Sequence, residues 1–172
     1  MKSGGLWQRL DRFGRNLIPL AITLTLALIG ALPMPIAGYA AVVPLFTFCA
    51  VFFWAVYRPD LLPPWLVLLI GLVQDALAGT PFGLNAIMLL LAYGMVASQR
   101  RFFLSRPFPL VWGGFMLIAL IAIVVAWLLA SIFVSHIIRP GPATFQLLLT
   151  LALYPLVTLL MAGAQRLLPQ PA

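Results

Sequence analysis

Charged residues divide the chain into long apolar segments. Arg15 and Arg58 are separated by 42 residues that carry no charge. Arg58 and Arg100 are separated by 41 residues, and the charges among them are Asp60 and Asp75. Because a membrane-spanning helix needs roughly 20 apolar residues, each of these segments is long enough for two helices joined by a turn.

The two segments that follow are shorter and hold one helix each. There are 32 uncharged residues from Arg106 to Arg139, and 26 from Arg139 to Arg166. Unbroken apolar runs of this kind are typical of helices, whereas barrel strands alternate apolar and polar residues. The pattern therefore predicts an all-α polytopic membrane protein with six transmembrane helices. They are expected near residues 17–33, 38–57, 61–79, 84–99, 109–134 and 144–163.

The positive charges are distributed unevenly between the two ends of the predicted helices. Nine of the ten Lys and Arg residues fall at the end that holds both chain termini, and Arg139 alone falls at the other. Since Lys and Arg are retained on the cytoplasmic side of a membrane, we expect both termini to be cytoplasmic. We therefore expect a multi-pass membrane protein, with residues 1–172 forming a single integral membrane domain.

The first 16 residues form a basic tail with an amphipathic pattern. Leu6, Leu10, Phe13 and Leu17 are spaced 4, 3 and 4 residues apart, with basic residues between them. This spacing predicts a helix lying on the inner leaflet of the bilayer. The tail serves either as a plain anchor or as a surface that also docks a cytoplasmic protein. The apolar run that follows is longer than that of a signal peptide, so we expect it to be retained as the first span.

Composition narrows the possible functions. Hydrophobic residues make up 64% of the chain and charged residues 8%, which is too apolar for one water-soluble core. No long polar stretch is available to build an extramembrane catalytic domain. The basic residues lie at membrane boundaries and are too few for nucleic-acid binding, so no nucleic-acid partner is expected. Cys49 is the single cysteine, which excludes a disulfide framework.

Asp75 is the acidic residue that falls inside a predicted span, and a residue of this kind is a functional candidate. Gly71, Asp75 and Gly79 recur every four residues and share one helix face. Across the turn, Thr80 and Asn85 are expected at similar depth, where they would donate hydrogen bonds to the carboxylate. Three roles stay open: a structural tie within the hairpin, a contact with a partner or ligand, and proton or ion coupling.

The sequence offers little support for a catalytic dyad, a metal site or a nucleotide-binding site. Asp60 lies 15 residues from Asp75, or about 22 Å along a helix, so the two cannot form an aspartyl dyad. Ser135 and His136 are neighbours whose side chains point apart on a helix, and no glycine-rich elbow surrounds them. With one histidine and no phosphate-binding loop, we expect no catalytic, cofactor or metal site.

A stripe of small residues marks the fifth predicted span. Ala122, Ala126 and Ala130 are spaced four residues apart and lie on one face of the helix. Small residues allow two helices to approach closely in a membrane. The stripe therefore receives either a helix of a partner protein or another helix of the same bundle.

The hairpin between the third and fourth spans carries a recognisable pattern. Gly71, Asp75, Gly79 and Gly83 stand four residues apart, Pro81 lies in the turn, and another apolar span follows. This pattern resembles that of the MreD family of bacterial rod-shape-determining proteins. The chain is also similar to that family in length, number of spans and basic N-terminal tail.

The resemblance implies a non-enzymatic, multi-pass component of the bacterial inner membrane that belongs to the cell-elongation machinery and helps to maintain cell shape. Family members bind the bitopic membrane protein MreC directly and, through it, associate with the filament protein MreB. RodA and the elongation transpeptidase, which build lateral peptidoglycan, belong to the same complex. The resemblance also implies a bundle like that of the substrate-binding subunits of energy-coupling-factor transporters. It gives the patterned residues an architectural role: Gly71, Asp75, Gly79, Pro81 and Gly83.

An alternative function is a substrate-binding membrane subunit of a small-molecule, vitamin-type transporter. Such a subunit needs an outward pocket on which polar groups converge. Gln74, Asp75, Thr80 and Asn85 are the residues available to supply them. The neighbouring genes would separate the two functions, since they would encode either MreB and MreC or an ATPase and vitamin enzymes.

Overall fold

The computed structural model describes residues 19–30, 44–135 and 139–166. All regular secondary structure in these residues is helical, which confirms the predicted all-helical class. The amphipathic tail and His136 lie outside the described residues. The described helices are α1 (Pro19–Gly30), α2 (Phe46–Tyr57), α3 (Pro64–Ala78), α4 (Leu84–Ser98), α5 (Arg100–Leu104), α6 (Phe108–Phe133) and α7 (Gly141–Arg166).

Helix α2 forms the centre of the bundle. Every residue from Thr47 to Val56 is buried, so the helix is enclosed on all sides. Helices α4, α5 and α7 pack directly against it. The sequence of α2 carries no polar face, which suits a helix enclosed by protein and equally a helix that faces lipid, so its central position is a result of packing.

Aromatic rings join α2 to the two longest helices. The ring of Phe52 on α2 meets Phe115 on α6 edge to face, with centroids 5.0 Å apart. Phe115 in turn stacks on Tyr154 of α7, with centroids 3.8 Å apart. Offset and edge-to-face pairs of this kind contribute about 0.5–1.5 kcal/mol each beyond the area they bury. The cluster therefore fixes the relative positions of α2, α6 and α7.

The helices differ in length from the predicted spans. α6 and α7 have 26 residues each, which is enough to cross a bilayer, and they match the spans predicted near 109–134 and 144–163. α3 and α4 match the third and fourth predicted spans, but each has 15 residues. α2 begins at Phe46, eight residues after the predicted start of the second span at residue 38. Residues 38–43 lie outside the described residues. The count of six spans and the orientation of the termini stay predictions.

Helix α5 and its contacts were not foreseen from the sequence. Arg100, its first residue, donates from Nε to the carbonyl oxygen of Val56 at 2.9 Å and from a terminal nitrogen to that of Tyr57 at 3.5 Å. These carbonyls end α2, where helix carbonyls lack partners within the helix and a positive charge is favourable. Phe103 is buried and meets Phe52 edge to face. The segment therefore belongs partly to the protein core, although its charges and aromatic residues resemble a membrane-boundary loop.

Candidate functional site

The carboxylate of Asp75 accepts four hydrogen bonds in the turn between α3 and α4. Thr80 donates to it from Oγ1 at 2.7 Å, and the side-chain amide of Asn85 donates from Nδ2 at 2.8 Å. The backbone N–H groups of Gly83 and Asn85 donate at 2.9 and 3.0 Å. Only 1% of Asp75 is exposed. The buried charge is therefore surrounded by donors, which is what its burial requires.

The backbone of the turn explains why this carboxylate is needed. Gly79 ends α3 in the left-handed conformation with φ 65°, and Gly83 precedes α4 with φ 95°, both of which favour glycine. Because Gly83 has no side chain, it cannot cap the first turn of α4 itself. Asp75 supplies the missing acceptor from the preceding helix and places a negative charge at the positive end of α4.

Gly71 sets the distance between α3 and α4. A methyl group at Gly71 would lie 2.7 Å from the backbone nitrogen of Ala86 and 2.9 Å from its Cβ. The two backbones thus touch at this point, one helical turn before Asp75. Close approach at glycine is the usual way in which membrane helices pack tightly. It brings the start of α4 within reach of the Asp75 carboxylate.

The turn itself is short and partly exposed. The carbonyl oxygen of Pro81 accepts the backbone N–H of Leu84 at 3.1 Å, which closes the turn. Phe82, between Pro81 and Gly83, is 76% exposed. Pro81 therefore takes part in the turn through its backbone. The side-chain hydrogen bonds of the hairpin lie on the inner side of the turn, around Asp75.

The predicted small-residue stripe on α6 faces the interior of the bundle. Ala122 is fully buried in the core, and Ala126 and Ala130 line a cavity between helices. α6 packs on α4 and α7. Ala122 therefore packs within the bundle, whereas Ala126 and Ala130 are partly exposed and border the cavity.

The cavity lies beside the Asp75 hairpin and has a volume of about 390 Å³. Gln74, Thr80 and Asn85, named above as possible ligand contacts, line it together, while Asp75 does not. Trp127 and Arg139, which were not among the predicted site residues, also line it. Arg139 could have been singled out from the sequence, because it is the one basic residue on the predicted outer side of the membrane.

Within the described residues, the other acidic residue and the cysteine lie apart from the hairpin. Asp60 lies at the opposite end of α3, 3.8 Å from the guanidinium of Arg58, and its side chain is largely exposed. Cys49 is buried in α2 as a free thiol. Among the described residues, no three His, Cys, Asp or Glu side chains come together in a group that would hold a metal ion. The arrangement around Asp75 is a network of hydrogen bonds that joins α3, the turn and α4.

Comparison with known protein families identifies a relationship over most of the chain. Residues 11–163 match the model of a family described as rod shape-determining protein MreD. Neither the curated proteins nor the solved structures include a match.

Proposed function

The chain belongs to the MreD family of rod shape-determining proteins, and on this premise we propose that it is a non-enzymatic membrane scaffold of the cell-elongation machinery. It crosses the inner membrane six times with both termini in the cytoplasm and binds MreC directly. Through MreC it works with MreB, RodA and the elongation transpeptidase to organise lateral peptidoglycan synthesis. The family match over nearly the whole chain is the observation that carries this proposal.

The apolar outer surface of the bundle supports the membrane location. On α6, large side chains are exposed at helical spacing, with Leu117, Leu120, Val124 and Leu128 between 45 and 60% accessible. α7 exposes a similar face, on which Leu159 is 71% accessible. A continuous apolar surface of this kind is unfavourable in water and is typical of a protein surrounded by lipid.

The positions of the basic residues in the structure support the proposed orientation. Arg58 directly follows the last residue of α2, and Arg100 donates hydrogen bonds to the last carbonyl groups of the same helix. These two basic residues therefore lie at one end of the bundle. Arg139 lies at the other end, on the cavity beside the α3–α4 turn. With positive residues retained inside, the Arg58 and Arg100 end faces the cytoplasm.

The outer face of α4 is the surface that we assign to MreC. Ile87, Gly94 and Ser98 are exposed on it, and Leu91 is partly exposed between them. Gly94 and Ser98 are four residues apart, and the space above Gly94 is open, with no atom within 4 Å of where a Cβ would lie. Two small residues at this spacing let a second helix approach closely, which is how spans associate in lipid. A single span of MreC fits this requirement.

The test is recovery of MreC with the purified protein carrying Gly94→Leu. A leucine there fits the free protein but blocks a close helix, so we expect several-fold less MreC to be recovered and no loss of thermal stability. Gly113→Leu on α6 is the matched control, since Gly113 is also exposed with open space above it. Equal recovery of MreC with both variants would contradict the assignment to α4.

A cellular experiment tests the function as a whole. Depletion of the protein should convert rod-shaped cells into spheres, and expression of the Gly94→Leu variant should restore rods less well than Gly113→Leu. Cells that stay rod-shaped after a clean deletion would contradict a role in elongation. Failure of MreC to copurify with the unaltered protein would contradict direct binding.

A further inference from the structure

The cavity of about 390 Å³ contains polar groups that the Asp75 network does not use. It lies at the end of the bundle where α3 ends and α7 begins. Its volume falls within the range of small-ligand sites. The wall combines polar side chains, Gln74 and Arg139 among them, with the apolar side chains of Met88 and Trp127. The cavity thus offers both parts of a site for an amphiphilic molecule.

Gln74 is the first sign that the cavity holds a ligand. The residue is 7% exposed, and its buried Oε1 has no hydrogen-bond partner in the described part of the chain. Buried polar atoms nearly always have a partner, so an unpartnered one that lines a cavity points to a molecule inside it. A hydroxyl group suits this position because it both donates and accepts, and it therefore pairs with the amide in either orientation.

Arg139 is the second sign, because it brings a positive charge to the same cavity. Its side chain is exposed, and it has no acidic partner among residues 19–30, 44–135 and 139–166. The two acidic residues in those ranges are engaged elsewhere, Asp75 by the hairpin donors and Asp60 beside Arg58. An arginine guanidinium binds phosphate through two parallel hydrogen bonds. The ligand is therefore expected to be anionic.

We propose that the cavity binds the headgroup of an anionic, hydroxyl-bearing lipid of the phosphatidylglycerol type. The phosphate lies at Arg139, a glycerol hydroxyl meets the amide of Gln74, and the glycerol backbone lies along Met88 and Trp127. A lipid is the favoured source because the exposed surface of the bundle is apolar, as expected of a protein surrounded by lipid. Free glycerol phosphate carries the same polar groups, and the experiment below separates the two sources.

This site is independent of MreC binding. The cavity adjoins the α3–α4 turn, whereas Gly94 and Ser98 lie in the half of α4 that leads to Gln99, at the other end of the bundle. A variant in the cavity should leave MreC recovery unchanged, and Gly94→Leu should leave lipid binding unchanged. Failure of one proposal is thus distinguishable from failure of the other.

The experiment titrates the purified full-length protein in detergent and follows bound ligand by native mass spectrometry. The probes are dihexanoyl phosphatidylglycerol, dihexanoyl phosphatidylcholine and glycerol 3-phosphate. We expect saturable binding of phosphatidylglycerol that is about tenfold weaker in Gln74→Met and in Arg139→Ala, because each variant removes one polar contact. Arg106→Ala, at the opposite end of the bundle, is the control and should bind as the unaltered protein does.

Thermal unfolding distinguishes a binding role of Gln74 from a structural one. Because Oε1 has no partner among the described residues, Gln74→Met should leave the melting temperature without ligand unchanged or raise it. Ala126→Phe, which fills the cavity, should abolish phosphatidylglycerol binding. Equal binding of phosphatidylglycerol by all variants, or no binding by the unaltered protein, would overturn the proposal and leave water as the occupant. Binding of glycerol 3-phosphate that competes fully with the lipid would support the site and identify a soluble source.

Discussion

The carboxylate of Asp75 accepts the backbone N–H of Asn85, the second residue of α4, at 3.0 Å, so the end of α3 caps the start of α4. A cap normally comes from the residue that precedes the helix, and here that residue is a glycine. The capping group therefore comes from eight residues earlier, in the preceding helix. As a result, the hairpin closes and α4 is capped by the same side chain.

We predict that Asp75→Leu destabilises the protein by about 2 kcal/mol, because the partly buried N–H groups of Gly83 and Asn85 and the side chains of Thr80 and Asn85 lose their acceptor. Asp75→Asn should lose an intermediate amount of stability. Its amide oxygen can replace one carboxylate oxygen as an acceptor, but its NH₂ group takes the place of the other and faces a donor. Thermal unfolding in detergent measures both. Asp60→Asn, on a largely exposed side chain, is the control. Equal stability of Asp75→Asn and the unaltered protein would show that the second oxygen contributes nothing.

Gly71→Ala should destabilise the protein by about 1–3 kcal/mol, because the added methyl group would overlap the backbone of Ala86. The companion change Ala86→Gly should restore little, since the closest contacts are with backbone atoms. Gly94→Ala, on the open face of α4, is the matched control. It should be neutral or stabilising by about 0.5–1 kcal/mol, as alanine is the better helix former. A stable Gly71→Ala variant would contradict backbone contact between α3 and α4.

Arg100→Met should cost about 1–2 kcal/mol, because it removes the hydrogen bonds to the last carbonyl groups of α2 and a positive charge at the end of that helix. Arg101→Met is the control, since Arg101 is exposed beside it. Urea or detergent unfolding monitored by circular dichroism compares the two. Equal losses of stability in the two variants would mean that the positive charge of α5 contributes to stability and that the hydrogen bonds from Arg100 to α2 do not.

Reporter fusions test the proposed membrane topology. Fusions after residues 36, 82 and 141 should report the external side, and fusions after residues 104 and 172 should report the cytoplasm. The expectation follows from nine of the ten basic residues falling on one side. An external C-terminus would contradict the six-span arrangement.

Part of the Asp75 site is predictable from the sequence. Thr80 and Asn85 lie within ten residues of Asp75, so a short turn between two helices already brings them close. The backbone donors are less predictable, because they depend on the left-handed conformations of Gly79 and Gly83 and on the contact at Gly71. The packing of α3 on α4 decides how near the helix start comes to the carboxylate.

The sequence by itself determined the helical class, the position of the α3–α4 hairpin and the family pattern, because each depends on residues near one another along the chain. The tertiary structure alone decided that α2 is enclosed, that Arg100 caps it from 44 residues away, and that Ala126 faces a cavity. The physical reason is that lipid and protein interior are equally apolar. A hydrophobic pattern therefore identifies a membrane helix, while packing between helices determines which of its faces is buried.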